Sequence, residues 1–117
     1  MAKVFHVLTD QDKKNCVIDG IYRPKSLTSD GFIHLSKADQ IETVINNFYN
    51  NNSQLILWRI SEANLTENLK YEAPLEAPNS GLRFPHYYQG LEVRLIEKEF
   101  RLNKTNNQFK LPTDLLA

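Results

Sequence analysis

Three histidines occupy distinctive places in a chain otherwise poor in them: His6 in "KVFHVLT", His34 in "SDGFIHLSKADQ" and His86 in "LRFPHYYQG". Imidazole titrates near neutral pH, so each is a candidate acid, base, metal ligand or plain hydrogen-bond donor. For any one of them alone, a partly buried ring satisfying its hydrogen bonds is the ordinary role. The three together make His34, His6 and His86 the candidate catalytic residues.

Three imidazoles and an open position would suit catalytic zinc, but no HExxH or HxH pair sets two ligands on one element, and no metal is expected. Serine hydrolysis lacks its G-x-S-x-G turn. A small-ligand pocket fits better, because two irregular segments supply aromatic faces (Tyr22, Phe84, Tyr87, Tyr88) and cations (Arg23, Lys25, Arg83). Rings, cations and a few histidines suit a nucleotide or another ring-bearing phosphate ester.

The elements that must position these residues follow from periodicity. In "KVFHVLT" the two-residue period puts Val4, His6 and Leu8 on one face and Phe5 and Val7 on the other. Thr9 reads as the N-cap of a short helix with Asp10 and Asp12 in its first turn, ending before Gly20. The segment Asp19 to Gly31 reads as a loop. In "FIHLS", Phe32, His34 and Ser36 point one way and Ile33 and Leu35 the other. Ser36 and Asp39 resemble a capping box that opens the main helix, whose apolar stripe is Ile41, Val44, Ile45, Phe48 and Tyr49.

"QLILWRI" reads as a central strand with Trp58 as a core anchor, "LKYE" as a short strand, and "LEVRLIEKEFRL" as a strand or bent strand pair. Between them "LEAPNSGLRFPHYYQG" reads as irregular, although its density of rings is unusual for a solvated loop. Strands first, one strong helix, then strands without regular alternation predict a small single α+β domain with a split mixed or antiparallel sheet. Its core is expected over about residues 3–111, and "NKTNNQFKLPTDLLA" at the end of the sequence reads as a tail lying over the surface.

The bulk properties bound what such a domain does. A chain of 117 residues with 41% apolar content suits one core. Fourteen basic residues balance fourteen acidic ones, so no overall field draws nucleic acid or anionic lipid. Cys16 is the only cysteine, which excludes an internal disulfide and fits a reducing compartment. No stretch approaches the roughly 20 apolar residues of a membrane span, and the expectation is a soluble cytoplasmic protein.

"YRPKSLTSDGFIHLSKADQI", followed by "LILWRI", "LKYE" and "FPHYYQGLEV", resembles the small bacterial family called domain of unknown function 952, over roughly Lys3 to Leu111. That family is in turn distantly similar to the ADP-ribosyltransferase-like group, whose small split-sheet domain binds NAD in a cleft. The resemblance rests on "VFHVLTD" at His6 and on "DGFIHLS" at His34 and Ser36. It implies a nucleotide-type pocket, with NAD as the possible cofactor or substrate and ADP-ribosyl transfer or hydrolysis as the possible reaction. The pocket would use Tyr22, Arg23, Ser26, Ser36, Phe84 and Tyr87 for binding, with Arg23 on a phosphate and Tyr22 or Tyr87 stacked on a ring. His6 and His34 would orient ribose hydroxyls or the nicotinamide amide. The glutamate usual in the transferases has no secure counterpart; Glu72 in "LKYE" and Glu92 in "GLEV" are the candidates, and His86 stands near that part of the cleft. The alternative, from another class, is a non-catalytic ligand- or protein-binding module with structural histidines and an interaction patch at Phe84 to Tyr88.

Overall fold

Two apolar strands, β1 (Lys3–Leu8) and β5 (Gln54–Ser61), pair antiparallel from Lys3↔Ser61 to Leu8↔Ile56 and carry side chains into a core on each face. The computed structural model describes residues 2–117, the side chain of Thr66 excepted. On the first face Val4 and Leu8 of β1 lie with Ile56, Trp58 and Ile60 of β5. On the second, Phe5 and Val7 lie with Leu55 and Leu57. Both faces of β1 match those read from the sequence, and burial on both faces explains the apolar run Leu55–Trp58 of β5. Trp58 is 1% exposed, and its indole N–H donates to Glu99 Oε1 at 2.9 Å.

β5 continues antiparallel to β9 (Ile96–Thr105), which turns through Asn106 and Asn107 into β10 (Gln108–Phe109), giving the order β1-β5-β9-β10. Both asparagines have φ above 50°, the two-residue hairpin turn that asparagine tolerates better than most residues. The segment read as a surface tail therefore starts as a hairpin. Its end packs on the second core through Leu111 and Leu115, and the buried Arg59 donates to the carbonyl oxygens of Leu115 and Ala117.

The segment read as loop from Asp19 to Gly31 holds two further elements. The helix α1 (Asp10–Cys16) has the expected Thr9 cap, closed as a capping box with Asp12. Then β2 (Val17–Ile18) and β3 (Ile21–Tyr22) form a hairpin through Asp19 and Gly20 and join β8 (Leu91–Glu92) in a small sheet ordered β2-β3-β8. A side chain at Gly90 would put its Cβ 2.7 Å from Ile21 Cγ2, so the approach of β8 to β3 requires glycine there. One helical turn, α2 (Lys25–Ser29), ends where the N–H groups of Asp30 and Gly31 donate to Ser26 O. Gly31, at φ +89°, then turns the chain into β4 (Ile33–His34).

The third sheet is antiparallel in the order β4-β7-β6, with β6 at Leu69–Glu72 and β7 at Phe84–Tyr87. The ring-rich segment is thus largely a central strand, and only residues 73–83 before it are irregular. A backbone bridge ties this sheet to the first: Phe5 N–H donates to Ser36 O and Ser36 N–H to Phe5 O, both at 2.8 Å. Ser36 is extended backbone in that bridge and does not cap the helix. The main helix, α3 (Ile41–Phe48), is entered by a 3-10 turn at Ala38–Gln40, and the Gln40 side-chain oxygen accepts from Lys37 N–H at 3.0 Å. Ile41 and Ile45 are buried as expected; Phe48 is 62% exposed, because the second core meets only the Ile41–Ile45 side of α3.

The architecture is a small α+β domain of three antiparallel sheets with few helices, and among the described residues no helix is long and apolar enough to cross a membrane. Ile45→Ala should lower unfolding stability by about 2–5 kcal/mol, whereas Phe48→Ala should cost less than about 1 kcal/mol. Denaturant titration of the two variants measures both.

Candidate functional site

The pairing of β4 with β7 sets His34 directly opposite His86, and Ile33 opposite Tyr87. Side chains of directly opposed residues share a face of the sheet, so Ile33 and Tyr87 enter the first core while the two imidazoles meet on the other side, ring centroids 5.7 Å apart. Phe32 stacks on His86 at 3.9 Å and 18° and lies 4.7 Å from His34. Phe32 stands in the same "DGFIHLS" stretch, one alternation before His34, and was overlooked as a site residue.

Each imidazole has one nitrogen tied to a carboxylate. His34 Nε2 lies 2.8 Å from Asp30 Oδ2, and His86 Nδ1 lies 2.9 Å from Glu72 Oε1. The bond to His34 holds the Asp30 carboxyl below its ordinary range; bonds from Tyr88 O–H and then His86 do the same for Glu72. Both carboxylates are therefore acceptors at neutral pH, and the ring nitrogens facing them carry the hydrogens. Burial pushes the His86 imidazolium down against the opposing pull of Glu72, so His86 is neutral at pH 7 with its lone pair on Nε2. Among the described residues, neither His34 Nδ1 nor His86 Nε2 has a protein hydrogen-bond partner.

His6 lies behind this pair, with both nitrogens occupied. Its Nδ1 is 2.7 Å from the main-chain oxygen of His34 and its Nε2 is 2.7 Å from Tyr22 Oη. A carbonyl only accepts, so Nδ1 is the protonated nitrogen and Tyr22 donates to Nε2. Burial lowers the His6 pKa to about 4 and raises that of Tyr22 far above its usual value, which keeps both neutral. His6 thus braces the main chain of β4.

In front of the imidazoles opens a cleft of about 680 Å³, within the range of small-molecule sites. The irregular segment 73–83 and the Val44–Phe48 side of α3 form its far walls. His34, His86, His6, Tyr22, Ser26, Ser36 and Phe84 all line it, so seven of the nine residues expected to form a site converge. Arg23 and Tyr87 do not. The exposed Arg23 lies against Gly90, and Tyr87 is buried in the first core with its hydroxyl bonded to Gln89. Glu72 stands behind His86, and Glu92 pairs with the exposed Arg94 on another sheet. The carboxylates that line the cleft are Asp12, Asp30 and Glu76, and its one cation among the described residues is Lys25. No periodicity marks Glu76, which stands in an irregular segment. Among the described residues no group of three side chains is placed to hold a metal ion.

Residues 7–99 match the family model described as a protein of unknown function, DUF952. The chain belongs to the DUF952 family. The crystal structure of protein CC0527 from Caulobacter crescentus is similar to this DUF952 chain at 26% identity and a TM-score of 0.84, covering 98% of this chain and 99% of that one. The solution structure of CC0527 gives 27% identity and a TM-score of 0.77, over 100% and 98%. No curated protein matches.

Because His6 is harder to protonate in the folded state than in the unfolded chain, its contribution to stability is complete above about pH 6.5 and is lost as the pH falls toward about 4. The full loss is about 3 kcal/mol. Unfolding free energies at pH 7 and pH 4.5 should therefore differ less for His6→Gln than for the unsubstituted protein.

Proposed function

We propose that the cleft binds a nucleotide-type ligand, NAD or ADP-ribose, and that His34 and His86 are its proton-transfer pair. The observation that carries this reading is the opposition of two carboxylate-anchored imidazoles, each with one ring nitrogen that meets no protein partner among the described residues, in a cleft lined by aromatic rings. The resemblance of "VFHVLTD" and "DGFIHLS" to the ADP-ribosyltransferase-like group supports the same ligand class.

In ADP-ribosyl transfer the bond from ribose to nicotinamide breaks and its electrons leave on the nicotinamide nitrogen, which needs no proton. The attacking hydroxyl or water must lose one, and a neutral imidazole is a suitable base. Positive charge that develops on the ribose is favoured beside carboxylates, and Asp30 and Glu76 both line the cleft. These two replace Glu72 and Glu92 as the carboxylates to consider for that role. Ser26 and Ser36 supply hydroxyls to the lining, and Phe48 and Phe84 supply ring faces. His6, with both nitrogens engaged, serves by holding His34 in place rather than by touching ligand.

NMR titration with NAD, ADP-ribose and nicotinamide should shift the side-chain resonances of His34 and His86 at millimolar ligand. His34→Ala, at a side chain 46% exposed, should abolish the His86 shift while keeping the melting temperature within a few degrees. If the resonances of both histidines stay put, the nucleotide reading fails. Binding without release of nicotinamide from NAD would instead favour the non-catalytic module, for which the exposed Phe48 and Leu82 at the cleft are the supporting observation.

A further inference from the structure

We infer that the depression beside the cleft is an anion subsite, which takes a phosphate or carboxylate group of the molecule whose ring occupies the cleft. The depression encloses about 410 Å³ and shares Thr43, Leu82 and Phe84 with the cleft, so one ligand can lie across both. Lys37 and Arg83 line it against a single carboxylate, Asp39. Among the described residues neither cation pairs with a carboxylate, and the Arg83 guanidinium makes one long bond, from Nη1 to Tyr71 O at 3.4 Å.

The two cations come from segments far apart in the chain, and one side chain locks them together. The Gln40 amide accepts from Lys37 N–H at 3.0 Å and donates from Nε2 to Arg83 O at 2.8 Å. Gln40 also lines the depression. The backbones that bear both cations are thus set at a fixed separation before any ligand arrives, which lowers the ordering cost of binding. A guanidinium offers the paired donors that phosphate and carboxylate oxygens accept.

The neighbouring charges fix the direction of the ligand. The cleft carries Asp12, Asp30 and Glu76 against Lys25, so an anion placed there would face three carboxylates. An anion in the depression meets two cations and one carboxylate. A neutral or cationic ring belongs in the cleft, and the acidic group belongs over Lys37 and Arg83. This orientation rests on the nucleotide reading of the cleft, whereas the subsite itself does not.

The test compares inorganic pyrophosphate, ADP-ribose and nicotinamide by NMR titration at constant ionic strength. The proteins are the unsubstituted chain, the double variant Lys37→Gln with Arg83→Gln, and Lys110→Gln as a control for loss of a cation elsewhere on the surface. Pyrophosphate should shift the backbone amides of Lys37, Gln40 and Arg83, and the double variant should lose those shifts. The same variant should weaken ADP-ribose by about tenfold or more, the scale of one charge-assisted contact, and leave nicotinamide within about twofold, while Lys110→Gln changes neither ligand. Pyrophosphate shifts with no response of His34 and His86 to any ligand would keep the subsite and overturn the nucleotide reading. Nicotinamide shifts at His34 and His86 with no pyrophosphate response, and ADP-ribose binding unchanged in the double variant, would overturn the subsite alone.

Discussion

Two backbone hydrogen bonds between Phe5 and Ser36 join what would otherwise be separate sheets. They draw the chain leaving β4 alongside β1, and that alignment brings the His34 carbonyl to His6 Nδ1. A one-residue slip in either strand would turn its whole set of side chains to the opposite face. The first core would then lose Val4 and Leu8 in the one case and Ile33 and Leu35 in the other. Cleft and core are for this reason one structural decision, in which the residues that hold the fold also aim the imidazoles.

The arrangement around the histidines is layered by burial. His6 and Tyr22 lie in the packed interior, neutral and hydrogen-bonded to each other. His86 is also buried, but between Phe32 and Glu72 it keeps one nitrogen toward the cleft, and His34 is the most exposed of the three. Chemically identical side chains are thereby given different tasks by desolvation and by the partner each nitrogen meets.

What the sequence made legible was set by range. The faces of β1, the Thr9 cap, the β5 core strand and the helix stripe Ile41, Val44, Ile45 and Tyr49, without its exposed fifth member Phe48, each follow from local spacing, and each is present. Ser36 was misread because a capping-box pattern is local, while the partner that claims its backbone, Phe5, is not. The two Asp-Gly dipeptides show the same limit. Asp19-Gly20 closes a hairpin of two-residue strands too short to show a period, whereas Asp30-Gly31 ends a helical turn. Convergence of His34 with His86 depends on the register of strands half a chain apart, which periodicity does not encode. Arg23 and Tyr87 were misplaced for a related reason: residue type marked them as ligand contacts, but strand alternation and the β3–β8 approach turn them away.

The walls of the cleft differ in construction. The histidine wall is strand, pinned by ladder bonds, by the Phe5–Ser36 bridge and by His6. The opposite wall, residues 73–83, is held by single turns such as Ala77 N–H to Pro74 O and Ser80 N–H to Ala77 O, and belongs to no sheet. Insertions and replacements in this second wall break no ladder bond. Sequence changes that alter the size of the cleft can therefore fall on that side alone, leaving the paired imidazoles where the ladder sets them.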